Sequence, residues 1–312
     1  MSKRVLVTGG AGFLGSHLCD YLLRRGATVF CLDNFSNCGQ ENIEGLRSHT
    51  RFELLARDVT APLELSVHEI YNLACPASPV QYQRDPIGTT RTCVLGALNM
   101  LELARNQGAR ILQASTSEVY GDPAMHPQEE PYWGYVNPIG PRACYTEGKR
   151  CAESLFHDYR RQHGLSIRVA RLFNCYGPRM QCNDGRVVSN FVVAALQGEP
   201  LLLHGDGEQT RSFCYVEDMV KGLVRFMETP GVGDLPINLG NPQEVSMRAL
   251  AEKIMRLTES SSHIVYGPPL EDDPRRRQPS IERARERLHW QPLTPLEQGL
   301  EKTIGFFRSR CP

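Results

Sequence analysis

The chain has 312 residues, 41% of them hydrophobic, and its 35 Lys and Arg residues balance its 35 Asp and Glu residues. This composition predicts one compact unit or two closely packed lobes, and the balanced charge gives no reason to expect nucleic acid or an anionic membrane surface as a partner. The N-terminal segment has no small-residue cleavage site, and nowhere do about eighteen apolar residues run together, so we expect no membrane span and a cytoplasmic protein.

Short runs rich in β-forming residues alternate with longer amphipathic segments through the first half of the chain. The predicted strands cover residues 4–8, 27–33, 51–59, 67–74, 110–116 and 165–173. Helical periodicity, with apolar residues at every third or fourth position, covers residues 14–25, 89–107 and 144–163. Strand and helix in alternation imply right-handed crossovers, so we predict an α/β fold built on a Rossmann-type, doubly wound parallel sheet.

The pattern changes after about Asn174, where Gly and Pro become frequent. Further helical patterns cover residues 187–197, 216–228, 246–257 and a last segment that ends near Arg308. We therefore assign residues 1–173 to the sheet domain. Residues 174–312 are assigned mainly to a smaller C-terminal lobe that binds substrate, with part of residues 212–240 returning to the sheet.

The eleven cysteines include no Cys-x-x-Cys pair, and no histidines accompany them at the spacing of a zinc finger. Because disulfide frameworks belong mainly to short secreted chains, this distribution predicts reduced thiols and no metal site. The chemistry of the chain is therefore expected to come from other side chains.

The first chemical signal is a glycine pattern between the first predicted strand and the first predicted helix. Gly9, Gly12 and Gly15 stand three residues apart in the run TGGAGFLG. Such glycines allow a tight turn and a close approach of backbone to a pyrophosphate, which the N-terminus of the helix faces. Asp33 ends the next strand, where it can bind the ribose hydroxyls of adenosine and would repel a 2′-phosphate. The pattern favours NAD over NADP as cofactor, although glycines can also simply close a turn.

The second signal is a tyrosine and a lysine four residues apart, Tyr145 and Lys149, which lie on one face of a predicted helix. Oxidation of an alcohol requires removal of its proton, and a tyrosine with its ordinary pKa of about 10 is a poor base at neutral pH. Lys149 and the positive nicotinamide ring would stabilise the phenolate, and a pKa lower by about three units corresponds to about 4 kcal/mol. The same spacing is also common on solvated helices.

A third motif, ASTSEVYG at residues 114–121, stands at the carboxyl end of a predicted strand, where open α/β sheets bind ligands. Thr116 can share the reacting hydroxyl with Tyr145 through a hydrogen bond. The alternative is a Ser- and Thr-rich turn that bonds only to itself.

Together these residues resemble the extended short-chain dehydrogenase/reductase superfamily, which includes epimerases, dehydratases and decarboxylases of nucleotide-linked sugars. The UDP-glucuronate decarboxylase branch is the most similar one, and the stretches that carry the resemblance are NLACPASP at 72–79, STSEVYGDP at 115–123, YWGYVNPIGPRACYTEGK at 132–149, DGRVVSNF at 184–191 and DDP at 272–274 followed by Arg277. The resemblance implies a tightly held NAD that is recycled within each turnover. It also implies a homodimer packed through helices of the sheet domain.

The resemblance and the glycine motif define a predicted NAD site in the sheet domain. Its residues are Gly9, Gly12, Phe13, Leu14, Gly15, Asp33, Asn34, Phe35, Asp58, Val59, Leu73, Ala74, Ala114, Tyr145 and Lys149. Asp58 and Val59 end the third predicted strand, where they can flank the adenine.

The resemblance also implies catalytic and substrate-binding roles. Tyr145 is the expected base, Lys149 tunes it, and Thr116 aids the proton transfer. Ser117 and Glu118 are expected to position the sugar and a water molecule that carries a proton. Arg277 is expected to bind the substrate carboxylate or to assist protonation of C5, because arginine offers bidentate geometry. The expected contacts to the UDP-sugar are Asn174, Arg186, Arg211, Asn238 and Arg277.

The chemistry of the third motif helps to separate the branches. A dehydratase must protonate a departing hydroxyl at C6, yet Ser117 stands where its carboxylic acid would be. A simple epimerase has no evident need for Glu118. We therefore expect conversion of UDP-glucuronate into UDP-xylose, through C4 oxidation, loss of CO2, C5 reprotonation and C4 re-reduction. The alternatives are a 4-epimerase or 4,6-dehydratase acting on an NDP-hexose, or an inactive NAD-binding scaffold.

Overall fold

The computed structural model describes residues 2–310. Its first half follows the order β1 (Arg4–Thr8), α1 (Phe13–Arg24), β2 (Thr28–Asp33), β3 (Phe52–Ala56), β4 (Glu69–Asn72), α2 (Pro79–Arg84), α3 (Pro86–Gln107), β5 (Arg110–Thr116), α4 (Ala143–His163) and β6 (Ile167–Leu172). The second half continues with β7 (Cys175–Tyr176), α5 (Val187–Gln197), β8 (Leu201–His204), β9 (Thr210–Ser212), β10 (Cys214–Tyr215), α6 (Val216–Glu228), β11 (Ile237–Leu239), β12 (Glu244–Ser246), α7 (Met247–Thr258), β13 (Ile264–Gly267), β14 (Arg276–Arg277), α8 (Glu282–Leu288) and α9 (Leu296–Arg308).

The largest sheet has seven strands in the order β11-β6-β5-β4-β1-β2-β3, and every neighbouring pair is parallel. From β1 the chain builds outwards to β3 and then returns to β4 on the other side of β1. Such a reversal opens a crevice at the carboxyl ends of the two strands that flank it, which is where doubly wound sheets bind ligands. The predicted α/β fold with a Rossmann-type parallel sheet is confirmed.

The central strand β1 is apolar from Val5 to Val7 because helices cover both faces of the sheet. In β1 the side chains of Val5 and Val7 belong to one hydrophobic cluster, whereas Leu6 belongs to a second cluster on the opposite face. The first cluster includes apolar residues of α1 and α6, and the second includes apolar residues of α3 and α4. A three-layer arrangement follows, with the sheet between two layers of helices.

The smaller lobe consists of short sheets and the helices that pack on them. In one of these sheets, β9 pairs antiparallel with β12 and parallel with β14, which places Arg211 of β9 beside Arg277 of β14. Strand β11, within residues 212–240, joins the main sheet beside β6. The division at residues 1–173 and 174–312 stays a prediction. Among residues 2–310, none of the helices combines the length and apolar character of a membrane span.

The prediction of reduced thiols needs one correction. Cys182 is disulfide-bonded, whereas the other described cysteines, nine in number, are free. Sequence spacing does not reveal such a bond, because it depends on which thiols the fold brings together.

A buried ion pair fastens α4 to the sheet. The guanidinium of Arg171 on β6 donates to Glu153 of α4, with Nε to Oε1 at 3.0 Å and Nη2 to Oε2 at 2.8 Å. The hydroxyl of Ser115 on β5 donates to the same carboxylate. Both charged side chains are largely removed from water, so neither has an alternative partner of comparable strength.

We expect Glu153→Ala to lower the free energy of unfolding by about 3 to 5 kcal/mol, because it leaves the charge of Arg171 buried without a counterion. Urea unfolding followed by circular dichroism measures this change. Asp158→Ala is the matched control, since Asp158 lies on the same helix in an exposed pair with Arg161 and such pairs contribute at most about 1 kcal/mol. Equal losses in the two variants would contradict the importance of the buried pair.

Candidate active site

A cavity of about 760 Å³ lies at the carboxyl edge of the main sheet and extends into the smaller lobe. Most of the predicted site residues line it, namely Gly9, Gly12, Phe13, Leu14, Gly15, Asp33, Asn34, Val59, Leu73, Ala74, Ala114, Thr116, Ser117, Glu118, Tyr145, Lys149, Asn174, Arg186, Arg211 and Arg277. The fold thus gathers residues that are far apart in the sequence around one space.

Asn238, a predicted substrate contact, lies outside this cavity. Its side chain is fully buried, and its amide nitrogen donates to the backbone oxygens of Gln128 at 3.0 Å and Ser280 at 3.1 Å. Its amide oxygen accepts a hydrogen bond from the hydroxyl of Tyr120 at 2.8 Å. With these groups already bonded inside the protein, Asn238 holds loops against β11 and has no polar group free for a nucleotide. Its assignment as a substrate contact stays a prediction, and such a contact would require these bonds to rearrange.

Phe35 and Asp58 also fall outside the residues that line the cavity, although both contact residues that do. The backbone N–H of Phe35 donates to Oδ1 of Asp33 at 2.9 Å. The side-chain amide of Asn34 donates to Oδ2 of Asp58 at 2.7 Å. Phe35 therefore helps to hold Asp33 in place, and Asp58 helps to hold Asn34, but neither Phe35 nor Asp58 borders the cavity.

The glycine turn leaves no room for side chains. Gly9 has φ of +66°, and a Cβ atom there would stand 3.0 Å from the backbone of Ala74. A Cβ atom on Gly15 would stand 2.1 Å from the backbone oxygen of Gly9, so helix α1 begins directly against the turn. The backbone that follows β1 is thereby exposed to the cavity, so a pyrophosphate can approach it closely.

Asp33 is fixed at the end of β2 by backbone hydrogen bonds. Its Oδ2 accepts from the N–H of Ala11 at 3.0 Å, in addition to the bond from Phe35. Burial raises the pKa of this carboxyl, and the backbone donors oppose the shift. The carboxylate borders the cavity, and its orientation is set before any ligand binds.

Tyr145 and Lys149 meet the third motif on the sheet side of the cavity. Tyr145 and Thr116 both line this side, and Nζ of Lys149 donates to the backbone oxygen of Ala114 at 2.9 Å. Nζ lies 5.9 Å from the centre of the Tyr145 ring. Burial raises the pKa of Tyr145 above its ordinary value, and only Thr116 among the leading influences lowers it. The expected lowering by Lys149 is therefore not seen in the protein alone.

Tyr82 is a neighbour of Tyr145 that the sequence analysis missed. The two rings are stacked, with centroids 5.1 Å apart and planes within 3° of parallel. Tyr82 is fully buried, and within residues 2–310 its hydroxyl has no hydrogen-bond partner. Burial raises the pKa of this phenol, and the next influence is the charge of Glu118. Tyr82 does not itself line the cavity, so its hydroxyl is, in the described part of the chain, an unsatisfied buried polar group behind the Tyr145 ring.

Three arginines and two carboxylates form a charged cluster at the cavity. Glu118 accepts from Arg142 at 3.5 Å and from Arg277 at 3.3 Å, both at Oε1. Asp273 accepts from Arg142 at 2.9 Å and from Arg211 at 2.8 Å. Burial lowers the pKa of Arg211 to about 10. We call these five residues the arginine cluster, and their formal charges leave an excess of one positive charge.

Arg142 and Asp273 lie within the motifs at 132–149 and 272–274, but the sequence predicted no role for either residue. Arg142 stands three residues before Tyr145, a spacing that places both on one helical face, and this was the available signal. It was missed because the predicted helix begins at residue 144, whereas α4 begins at Ala143 with Arg142 as its N-cap.

Asn174 and Arg186 line the cavity from the smaller lobe. Arg186 precedes α5 and lies 3.4 Å from the carboxylate of Asp184, with about a third of its side chain exposed. It is therefore freer to take a new anionic partner than the buried Arg211. Within residues 2–310, no three His, Cys, Asp or Glu side chains come together as a metal site requires.

Comparisons with known proteins agree with this geometry. Residues 5–240 match the model of the NAD dependent epimerase/dehydratase family. The chain is 55% identical over 306 residues to UDP-glucuronic acid decarboxylase 1 of Xenopus tropicalis, a match that covers 98% of this chain and 72% of that protein. It is 54% identical over 310 residues to UDP-glucuronic acid decarboxylase 6 of Arabidopsis thaliana, which covers 99% of this chain and 90% of that protein.

Solved structures with the same fold include several nucleotide-sugar enzymes. The UDP-glucose 4-epimerase of Thermotoga maritima superimposes with a TM-score of 0.90 at 28% identity, covering 99% of this chain and 100% of that one. The UDP-glucuronic acid 4-epimerase of Bacillus cereus, solved with UDP-glucuronic acid and NAD, superimposes with a TM-score of 0.88 at 26% identity, covering 98% and 99%. From its motifs, fold, cavity and relatives together, the chain belongs to the NAD dependent epimerase/dehydratase family.

Proposed function

We propose that this protein is an NAD-dependent decarboxylase that converts UDP-glucuronate into UDP-xylose. The observation that carries the proposal is the presence, around one cavity, of the buried side chains of Tyr145 and Thr116 and of an arginine cluster with an unbalanced positive charge. The first can take a proton from a sugar hydroxyl, and the second favours a sugar that carries a carboxylate. Relatives named UDP-glucuronic acid decarboxylase that align over 98% or more of the chain support the same conclusion.

The residues that follow β1 and the residue that ends β2 fit NAD, the cofactor of this family. The turn around Gly9 and Gly15 offers backbone without side chains to a pyrophosphate, and Asp33 offers a pre-oriented acceptor to ribose hydroxyls. When bound, NAD accepts a hydride from C4 of the sugar and returns it at the end of the turnover. We assign the adenosine part to the Asp33 side of the cavity and the catalytic part to the Tyr145 side.

Tyr145 acts as the base that removes the proton of the C4 hydroxyl. Because burial raises its pKa, the phenolate needs positive charge nearby, which Lys149 and the oxidised cofactor together provide. Thr116 lines the same side of the cavity and can share the reacting oxygen with Tyr145 through a hydrogen bond. Lys149 is itself held by the backbone oxygen of Ala114, so its ammonium stays beside the base.

Decarboxylation follows from the position of the new ketone. Once C4 is oxidised, the C6 carboxylate is β to the ketone, and loss of CO2 leaves an electron pair on C5 that delocalises onto O4. Hydrogen bonds from Tyr145 and Thr116 stabilise this enolate. The arginine cluster binds the carboxylate before the reaction, and Glu118 with Ser117 guides the proton that returns to C5.

The nucleotide is assigned to the smaller lobe. Arg186 has a partly exposed side chain suited to the pyrophosphate, and Asn174 follows the end of β6 on the same side. Arg211 is tied to Asp273 in this structure, so its contact with the substrate requires that pair to rearrange or to be shared.

A 4-epimerase acting on UDP-glucuronic acid is the second candidate, because the Bacillus cereus epimerase superimposes closely and binds that sugar. The two activities give different products from the same substrate. A 4,6-dehydratase has less support, since Ser117 replaces the carboxylic acid that would protonate its leaving hydroxyl.

Incubation of the protein with UDP-glucuronate and NAD is expected to release CO2 and to give UDP-xylose in NMR spectra. Tyr145→Phe should reduce the rate by about 10²- to 10⁴-fold, since that is the usual contribution of a general base. NAD binding by the variant, measured by calorimetry, should persist because the ring and its packing are retained. A 4-epimer with an intact carboxylate would establish the epimerase instead, and full activity of the variant would remove Tyr145 from the mechanism.

Arg142→Met is expected to weaken UDP-glucuronate binding about 10²-fold while leaving UDP binding nearly unchanged, because only the former carries the sugar carboxylate. The magnitude corresponds to about 3 kcal/mol, within the range for removing one partner of a buried charged pair. Calorimetry with both ligands measures the difference. Arg142→Lys should restore part of the affinity, and Arg160→Met, at an exposed position of α4, is the control. An equal loss for UDP would mean that Arg142 acts only through the fold.

We also infer that the protein is cytoplasmic and forms a homodimer through α3 and α4. The two helices pack together, and α3 leaves Ile87 and Leu95 exposed with 75% and 38% of their surfaces accessible. Light scattering is expected to give about twice the 35.1 kDa of one chain. Leu95→Asp should shift the mass toward one chain, whereas Leu293→Asp, at an exposed loop position, should not. A monomeric unaltered protein would refute the dimer.

A further inference from the structure

Two free cysteines face each other beneath the active-site cavity. Cys75 follows β4 in the segment that lines the cavity, and Cys93 lies in α3 with 2% of its surface exposed. Their Sγ atoms are 3.2 Å apart. A disulfide requires about 2.05 Å, so a movement of about 1 Å would join them.

The pair touches the helix that carries the catalytic residues. A Cβ atom on Gly148 would stand 2.9 Å from Cβ of Cys93, so α3 and α4 lie close together at this point. Gly148 lies between Tyr145 and Lys149 in the sequence. A displacement of Cys93 is therefore transmitted directly to the backbone that positions the base and its ammonium.

We propose that Cys75 and Cys93 form a redox modification site, at which a peroxide links them in a reversible disulfide that suppresses turnover. The dithiol supplies two electrons and the peroxide accepts them. In the first step a thiolate sulfur attacks one peroxide oxygen, the O–O bond breaks, and a sulfenic acid and a hydroxide ion result; the hydroxide takes up the proton that the thiol released on ionising and becomes water. In the second step the other thiol attacks the sulfenic sulfur, the S–O bond breaks, and a second water leaves with the thiol proton.

The electrostatic setting favours the first step. The hydrogen bond from Cys75 lowers the pKa of the Cys93 thiol to about 7, burial opposes this shift, and the charge of Lys149 adds to the lowering. Burial raises the pKa of the Cys75 thiol, so Cys93 is the more readily ionised of the two, and thiolate is the form that reacts with peroxides. Cys75, at the cavity wall, provides the route by which a small oxidant reaches the pair.

A second pair of neighbouring thiols lies away from the cavity and serves for comparison. Cys19 and Cys31 lie together under the glycine turn, where a Cβ atom on Gly10 would stand 3.3 Å and 2.6 Å from their sulfurs. Both are fully buried, and neither borders the cavity. They have no route for an oxidant, so they serve as an internal reference for the accessible pair.

The effect on turnover rests on the proposed function. Closing the 1 Å gap pulls the wall segment at Cys75 and helix α3 together and shifts the contact with Gly148. Misplacement of a catalytic group by about 1 Å can cost about 10²-fold in rate. We expect a loss of at least about tenfold that a thiol reductant reverses.

The test uses the reduced enzyme with NAD bound, treated with hydrogen peroxide, alkylated and digested with trypsin. Cys75 and Cys93 then lie in peptides 58–84 and 92–105, each with one cysteine. Mass spectrometry is expected to find these two peptides linked, and no link between the peptides of Cys19 and Cys31. The link forms or fails to form whether or not the enzyme decarboxylates UDP-glucuronate, so this readout is separate from the proposed function.

Activity is measured on the same samples before and after treatment with dithiothreitol. Cys93→Ala and, as a second variant, Cys75→Ala should keep their activity in peroxide, whereas Cys151→Ala, at an exposed thiol, should lose activity like the unaltered enzyme. Absence of the linked peptide, a link without loss of activity, or equal losses in all variants would each overturn the proposal.

Discussion

One threonine hydroxyl joins the two strands between which the chain order reverses. Thr8, at the end of β1, donates to the side chain of Asn72 at 2.8 Å and accepts from the N–H groups of Leu73 and Ala74 at 3.1 Å each. Asn72 in turn donates to Gln113 of β5 at 2.8 Å. These bonds fix the crevice at the carboxyl edge of the sheet, and every other part of the site is placed relative to it.

Burial raises the pKa of both Tyr145 and Asp273, but the net pKa shift differs between the two sides of the cavity. At Tyr145 it opposes ionisation, so the base depends on cations supplied nearby. At the arginine cluster, carboxylates compensate most of the charge, and the pKa of Asp273 lies below its ordinary value because the arginines outweigh its burial. Both the proton transfer and the selection of an anionic sugar thus depend on a few fixed charges.

The sequence predicted those features that depend on local spacing. The strand periodicity located β1 and β5 with their observed bounds, and the four-residue spacing of Tyr145 and Lys149 placed both beside the cavity. Tyr82 was missed because α2, at six residues, is too short to show a helical period. The side-chain hydrogen bonds of Asn238 could not be predicted, because they reach loops more than forty residues away in the chain.

The anchoring of α4 has a consequence for how a substrate arrives. Glu153 ties the middle of this helix to Arg171 and Ser115 on two strands of the sheet, whereas at its N-terminus Arg142 meets the smaller lobe through Asp273. The middle of α4 is thereby held to the sheet, and the ion pair to Asp273 can break without disturbing a hydrophobic core. A substrate carboxylate that binds Arg142 therefore competes with Asp273 of the smaller lobe for the same guanidinium.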